Sequence, residues 1–156
     1  MVLYIAIFLL IIALDQISKY LIASAFSLGE GICVIEGLLD FTYVQNRGAA
    51  FGLLQGARVF FIILTVVVFV ALIIYLYKAH LTSSLEKTAL AFIAGGAIGN
   101  FIDRLVLGYV RDFIEVTFID FPVFNIADCF VCIGAGLYIL YTFLDMKRKN
   151  KDDNSL

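Results

Sequence analysis

The chain has 156 residues, enough for a single domain, and 63% of them are hydrophobic while 15% are charged. A soluble fold of this length has too little interior for so much apolar surface, so a bilayer must cover it. The net charge of −2, with no basic stripe outside the C-terminal residues, excludes a nucleic-acid partner.

Val2 to Leu14 is continuously apolar but too short to cross a membrane, and a helix extended to about Ala25 reaches the ~20 residues required. No basic segment precedes this run, and Asp15 and Lys19 stand where a signal-peptide cleavage site would fall, so it reads as a retained span. Asp15 and Lys19 are spaced for an i, i+4 pair with the acid N-terminal. They suit a neutralising pair at the membrane surface as well as a part in chemistry. Ser18 and Lys19 point about 100° apart on a helix and do not make a Ser/Lys pair.

Residues 26–58 change character. Leu39, Phe41 and Tyr43 alternate with Asp40 and Thr42, the period of a half-buried strand, and Glu36-Gly37 suits the turn of a hairpin. The segment Gln45-Asn-Arg-Gly-Ala-Ala-Phe-Gly52 follows, with Asn46 and Arg47 placed to meet a peptide backbone or a lipid head group, unless it is an ordinary loop. Val59 to Tyr77 carries no charge and is the clearest span.

Leu85 to about Ile102 makes a third span, with Gly95-x-x-x-Gly99 permitting close helix approach. Gly96, Asn100 and Asp103/Arg104 share a face at helical spacing, running from small to amide to charged side chains. Asp103 could serve as a third acid, but its immediate neighbour Arg104 favours a structural charge pair. Tyr109 to Phe124 is β-prone and closed by Pro122. It contains Asp112, in Val110-Arg-Asp-Phe113. Ala127 to Leu144 is the fourth span, with Asp128 near its start behind Asn125, the pattern of a helix cap. Residues 147–156 read as a solvated basic tail outside a single domain over residues 1–146.

Four spans put both termini on one side. Lys78, Lys87, Lys147, Arg148, Lys149 and Lys151 lie there, against Lys19, Arg47, Arg58, Arg104 and Arg111 opposite, so the termini are expected to be cytoplasmic. Cys33, Cys129 and Cys132 are odd in number, and Cys129-x-x-Cys132 lies in an apolar run far from the single histidine, His80. Two small apolar residues one turn apart account for it better than a redox or metal motif. With one histidine and no His-Glu-x-x-His there is no zinc cage, and no metal or cofactor is expected.

Asp112 and Asp128 carry the strongest chemical signal. Ionisable groups at the edge of a hydrocarbon phase are costly, and two carboxylates in a water-poor cleft can share one proton, the device of aspartic proteolysis. The helix start at Asp128 favours its ionised form, leaving Asp112 to hold the proton. A proton-coupled carrier would place polar residues midway along several spans, whereas the second span has only Thr65. A scaffold built on Gly95-x-x-x-Gly99 leaves the two aspartate motifs unexplained.

In order along the chain, Asp15-Gln-x-x-Lys19, Asn46-x-Gly-Ala-Ala-Phe-Gly52, Gly95-Gly-Ala-x-Gly-Asn-x-x-Asp-Arg104, Val110-x-Asp-Phe113 and Phe124-Asn-x-Ala-Asp128 resemble the signature blocks of bacterial lipoprotein signal peptidases, signal peptidase II. The resemblance implies a mainly α, four-helix membrane aspartic peptidase that removes signal peptides from diacylglyceryl-modified prolipoproteins, just before the lipid-modified cysteine. It implies a catalytic dyad of Asp112 and Asp128, supported by Asn46, Gly48, Asn100, Arg104, Asn125 and Ala127, with Asp15 and Lys19 as a structural pair. It further implies an extracytoplasmic β-cradle, a short interfacial helix, no metal, a monomer among membrane lipid, and inhibition by cyclic peptides such as globomycin. The expected place is the bacterial cytoplasmic membrane, with the active site at its outer face.

Overall fold

The apolar run at the N-terminus forms α1 (Val2–Ala25), continuous through the polar Asp15–Lys19 stretch in the computed structural model of the chain. The structure describes residues 1–48, 54, 56–78, 81 and 83–153. Part of the segment that follows Asn46, residues 49–52, and His80 lie outside the described residues.

A three-stranded antiparallel sheet in the order β1-β2-β3 interrupts the helices. Strands β1 (Gly31–Ile35) and β2 (Leu39–Asn46) form the expected hairpin, with Gly37 at φ +69° in its turn. Strand β3 (Val110–Val116) pairs with β2, and Phe41 meets Phe113 edge-to-face across that seam at 5.8 Å. Asp112 lies opposite Val44 in this register. A single bridge from Ile114 to Phe124 brings the end of the loop back to the sheet. No short interfacial helix is present among the described residues.

Helices α2 (Arg58–Lys78), α3 (Ser84–Val106) and α4 (Ile126–Asp153) complete the molecule, and all four helices are long and apolar enough to cross a bilayer. The chain is a multi-pass membrane protein. Helix α3 is the centre of the bundle: it packs on α1 and α4, while α2 leans mainly on α3, touches α4 through Tyr75 and Tyr138, and buries none of its residues. The reason lies in the glycines. A methyl group at Gly95 would press on Ile11 of α1, and one at Gly96 would press on the backbone of Ala127 in α4. Gly134 of α4 sits equally tightly against the backbone of Ala89.

Residues 147–153 continue α4 as a helical end, exposed over 147–151, with an i, i+4 pair of Asp145 and Lys149 at 2.8 Å. Hydropathy marks where the bilayer ends and not where helical hydrogen bonding ends. The face expected for Gly96, Asn100 and Asp103/Arg104 is met in part. Asn100 and Arg104 border one cavity, Gly96 meets α4, and Asn100 reaches both α4 and Lys19 of α1. Asp103 instead turns with the Gly95–Gly99 stripe toward α1 and β3.

Candidate active site

The polar residues of this apolar chain gather at one end of the bundle, where α1, α3 and the start of α4 meet the sheet. They form two connected layers.

The inner layer is ionic and closed to solvent. Lys19 Nζ lies 2.9 Å from Asp15 Oδ2 and 3.8 Å from Asp103 Oδ2, with all three side chains fully buried. The Asp15–Lys19 pair is therefore closed off from solvent. Its interior setting works only because each charge is matched and each spare lone pair is used. Asp15 Oδ1 accepts the backbone N–H of Ala127 at 3.0 Å, so a side chain of α1 satisfies a donor in the first turn of α4. Asp103 does not pair with Arg104. It accepts from Arg111 instead, at 2.9 Å from the backbone N–H, 3.1 Å from Nε and 2.7 Å from Nη2. Gln16 joins the two helices by donating to Gly99 O at 3.0 Å and Asp103 Oδ1 at 3.2 Å, and it accepts from Arg111 Nη2 at 3.0 Å.

Gln16 and Arg111 are the members that spacing did not single out. Gln16 follows Asp15 in the first motif and Arg111 precedes Asp112 in the fourth. Adjacency to a chemically marked residue was the available signal.

The outer layer holds the two separated aspartates. Lys19 Nζ also donates to Asn100 Oδ1 at 2.8 Å, and because an ammonium only donates, this fixes which end of the Asn100 amide is oxygen. The Asn100 Nδ2 must then face α4, where it donates to Asp128 Oδ1 at 2.7 Å. Asn125 Oδ1 accepts the backbone N–H of Asp128 at 3.0 Å, and Asp128 Oδ2 accepts that of Asn125 at 3.3 Å, a reciprocal capping box. This fixes the second amide. Asn125 Nδ2 reaches Asp112 Oδ1 at 2.6 Å and Asn100 Oδ1 at 3.0 Å. Asn46 Nδ2 donates to Asp112 Oδ2 at 2.9 Å, and Asn46 Oδ1 accepts from Gly48 N at 2.9 Å.

The two carboxylates thus stand at the ends of one chain, Asp112–Asn125–Asn100–Asp128, in which buried Lys19 orients Asn100 and the capping box orients Asn125. Asp112 is 2% exposed. Burial, and then the like charge of Asp128, push its pKa up to about 7, against the amide donors of Asn46 and Asn125 that pull it down.

Both aspartates line one cavity of about 560 Å³, within the range of ligand-binding clefts. Asn46, Gly48, Asn100 and Arg104 share its polar side, and Arg104 Nη2 donates to Gly48 O at 3.3 Å. The opposite side is apolar, formed by Phe121 to Phe124 and by Cys129, Cys132 and Ile133 of α4. The two cysteines thus belong to the cavity wall. Asn125 and Ala127 lie buried beneath the cavity and do not line it. Among the described residues, no group of three His, Cys, Asp or Glu side chains converges as a metal cage. Chemically, two carboxylates lining one half-apolar cleft are able to hold and polarise a water molecule beside an extended peptide.

The family model described as "Signal peptidase (SPase) II" matches residues 7–144. The chain is similar to a lipoprotein signal peptidase of Brevibacillus brevis, with 47% identity over 138 residues, covering 88% of this chain and 93% of that one. It is 42% identical to a lipoprotein signal peptidase of Enterococcus faecalis, covering 99% and 96% of the two chains. Among solved structures, a bacterial membrane enzyme obtained by the in meso method at 2.3 Å resolution aligns with a TM-score of 0.91 at 36% identity, over 96% of this chain and 92% of that one. A second bacterial membrane enzyme, at 1.9 Å, aligns with a TM-score of 0.84 at 37% identity, over 91% and 93%.

Proposed function

The chain belongs to the signal peptidase II family, and on that footing we propose that it is an aspartic endopeptidase that frees diacylglyceryl-modified prolipoproteins from their signal peptides. Cleavage falls on the N-terminal side of the lipid-modified cysteine, at the outer face of the bacterial cytoplasmic membrane, with both termini of the enzyme in the cytoplasm. The observation that carries this reading is the pair of carboxylates, drawn from β3 and α4, facing one cavity and tied through Asn125 and Asn100.

Asp128 acts as the base and Asp112 holds the shared proton, in keeping with its pKa of about 7. Water held between them attacks the scissile carbonyl carbon. Its proton passes to Asp128 while Asp112 protonates the carbonyl oxygen, giving a neutral gem-diol. Collapse returns one hydroxyl proton to Asp112, and Asp128 protonates the leaving nitrogen, so the C–N bond breaks. The products are the signal-peptide carboxylic acid and the neutral amine of the lipidated cysteine, which exchange a proton in solvent, and the dyad ends as it began.

Asn46, Asn100 and Asn125 hold the two carboxylates in place, and Arg104 and Gly48 border the substrate peptide. The apolar flank of the cavity suits a substrate that never leaves the bilayer, because remote lipid contacts position the scissile bond at no cost to the reacting groups. A cyclic peptide such as globomycin blocks the same cleft.

The test is turnover of a purified lipidated prolipoprotein. Asp112→Asn and Asp128→Asn each lower the rate by at least ~100-fold while the variants keep their thermal transition in detergent. A chelator leaves the rate unchanged, and a substrate without its diacylglyceryl group is cleaved far more slowly. Ordinary turnover by either folded variant would falsify the dyad.

A further inference from the structure

At the end of the bundle remote from the sheet, α2 packs on α3, with no comparable packing against α1. The space left between the three helices is a cavity of about 230 Å³, walled by Phe8 of α1, Phe69 and Ile73 of α2, and Leu90, Ala91 and Ala94 of α3. These walls are apolar, so water gains no hydrogen bonds there, and in a bilayer the occupant is hydrocarbon. One charged side chain borders the cavity, which the N-terminal Met1 also lines. Lys87, at the start of α3, is half-buried, with its Nζ 5.7 Å from the centroid of the Tyr4 ring.

Among the described residues no carboxylate lies within ion-pair distance of Lys87. The neighbouring acid, Glu86, is buried and engaged by the hydroxyl of Tyr75 on α2. Lys19, the one fully buried cation among the described residues, is matched by two carboxylates, which shows what a closed site here requires. Lys87 instead has an open valence for an anion at the depth where lipid chains give way to head groups.

We propose that this groove binds an anionic phospholipid, with one acyl chain between α1, α2 and α3 and the head-group phosphate on Lys87. Hydrocarbon alone fills the walls but leaves the ammonium unmatched, and a soluble phosphate matches the ammonium but leaves the walls empty. A single molecule with both parts satisfies both. The lipid then covers part of the inward side of α2, the helix that buries nothing within the protein. The site lies across the membrane from Asp112 and Asp128, so its failure leaves the peptidase reading untouched.

The test is native mass spectrometry of the full chain in detergent, titrated with phosphatidylglycerol and with phosphatidylcholine of identical chains. One phosphatidylglycerol binds about fivefold more tightly, the factor given by roughly 1 kcal/mol per basic residue at a membrane surface. Lys87→Ala removes the preference, and Lys87→Glu reverses it. Ile73→Trp, at an exposed position on the rim, weakens binding of both lipids by filling the groove. Glycerol 3-phosphate does not compete. Equal binding of the two lipids, a preference that survives Lys87→Ala, or displacement of lipid by a second copy of the chain each overturns the proposal.

Discussion

Three unequal influences set the proton affinity of Asp112. Burial withholds water from the charged form, Asp128 adds a like charge, and two amide donors fail to offset them, leaving the pKa at about 7. This has a consequence for stability as well as for catalysis. The group releases its proton at its ordinary value of 3.8 when unfolded and near 7 when folded. Between those values the folded chain holds a proton that the unfolded chain has lost, so stability falls as pH rises through that window. Asp112→Asn keeps the shape and removes the titration. Melting curves in detergent show the difference growing in the variant's favour as pH rises from about 4 to about 7, then holding constant. Parallel curves for the two proteins would sink this account. The same residue makes the parent's cleavage rate decline above about pH 7, where the shared proton departs. Activity and stability thus pull in opposite directions at this side chain.

Helix α3 shows how far the sequence could be read at the scale of elements. Its span was legible from hydropathy, as were α1 and α2 and the start of α4, because a bilayer demands an apolar run of known length. The hairpin was legible through alternation and Glu36-Gly37. What spacing could not settle was partnership. Asp103 turns to Arg111, and Asp15 reaches Ala127 across 112 positions, contacts that depend on how α1, α3 and β3 pack. The glycines set that packing. A Cβ at Gly96 meets the carbonyl oxygen of Ala127, a backbone atom that cannot rotate away. Gly96→Ala therefore parts α3 from α4 beside Asn100 and draws its amide from Asp128. The expected effect is a loss of about 1–3 kcal/mol in stability with a marked fall in cleavage rate. Gly136→Ala, in the interior of α4 where nothing lies within 4 Å, leaves the rate unchanged and raises stability by about 0.5–1 kcal/mol. Melting temperature and initial rate for the two variants decide the matter, and equal behaviour would count against the packing argument.

At the scale of the molecule, three helices make the bundle and the fourth is attached to its side. The buried ionic layer joins α1, α3 and β3, so the candidate dyad is carried on the rigid part. Helix α2 is fastened differently, at its two ends. Tyr75 engages Glu86 at one end. At the other, Arg58 donates from Nε to Arg104 O and from Nη2 to Leu105 O, each at 2.7 Å, satisfying carbonyls in the last turn of α3. The guanidinium of Arg104 in turn lies 4.7 Å over the Phe61 ring of α2. Arg104 borders the cavity, so the attachment of α2 reaches the substrate side of the site without touching Asp112 or Asp128. Losing Arg58 should therefore weaken substrate binding more than chemistry. For Arg58→Ala, KM for a lipidated substrate rises by roughly fivefold to tenfold, as expected for the loss of on the order of 1–1.4 kcal/mol from exposed charge-assisted bonds, while kcat stays within about twofold. Arg58→Lys, which keeps one donor in reach, falls between. A collapse of kcat at unchanged KM would mean that α2 holds the carboxylates themselves, and the division into a rigid three-helix core and a side-mounted helix would have to be abandoned.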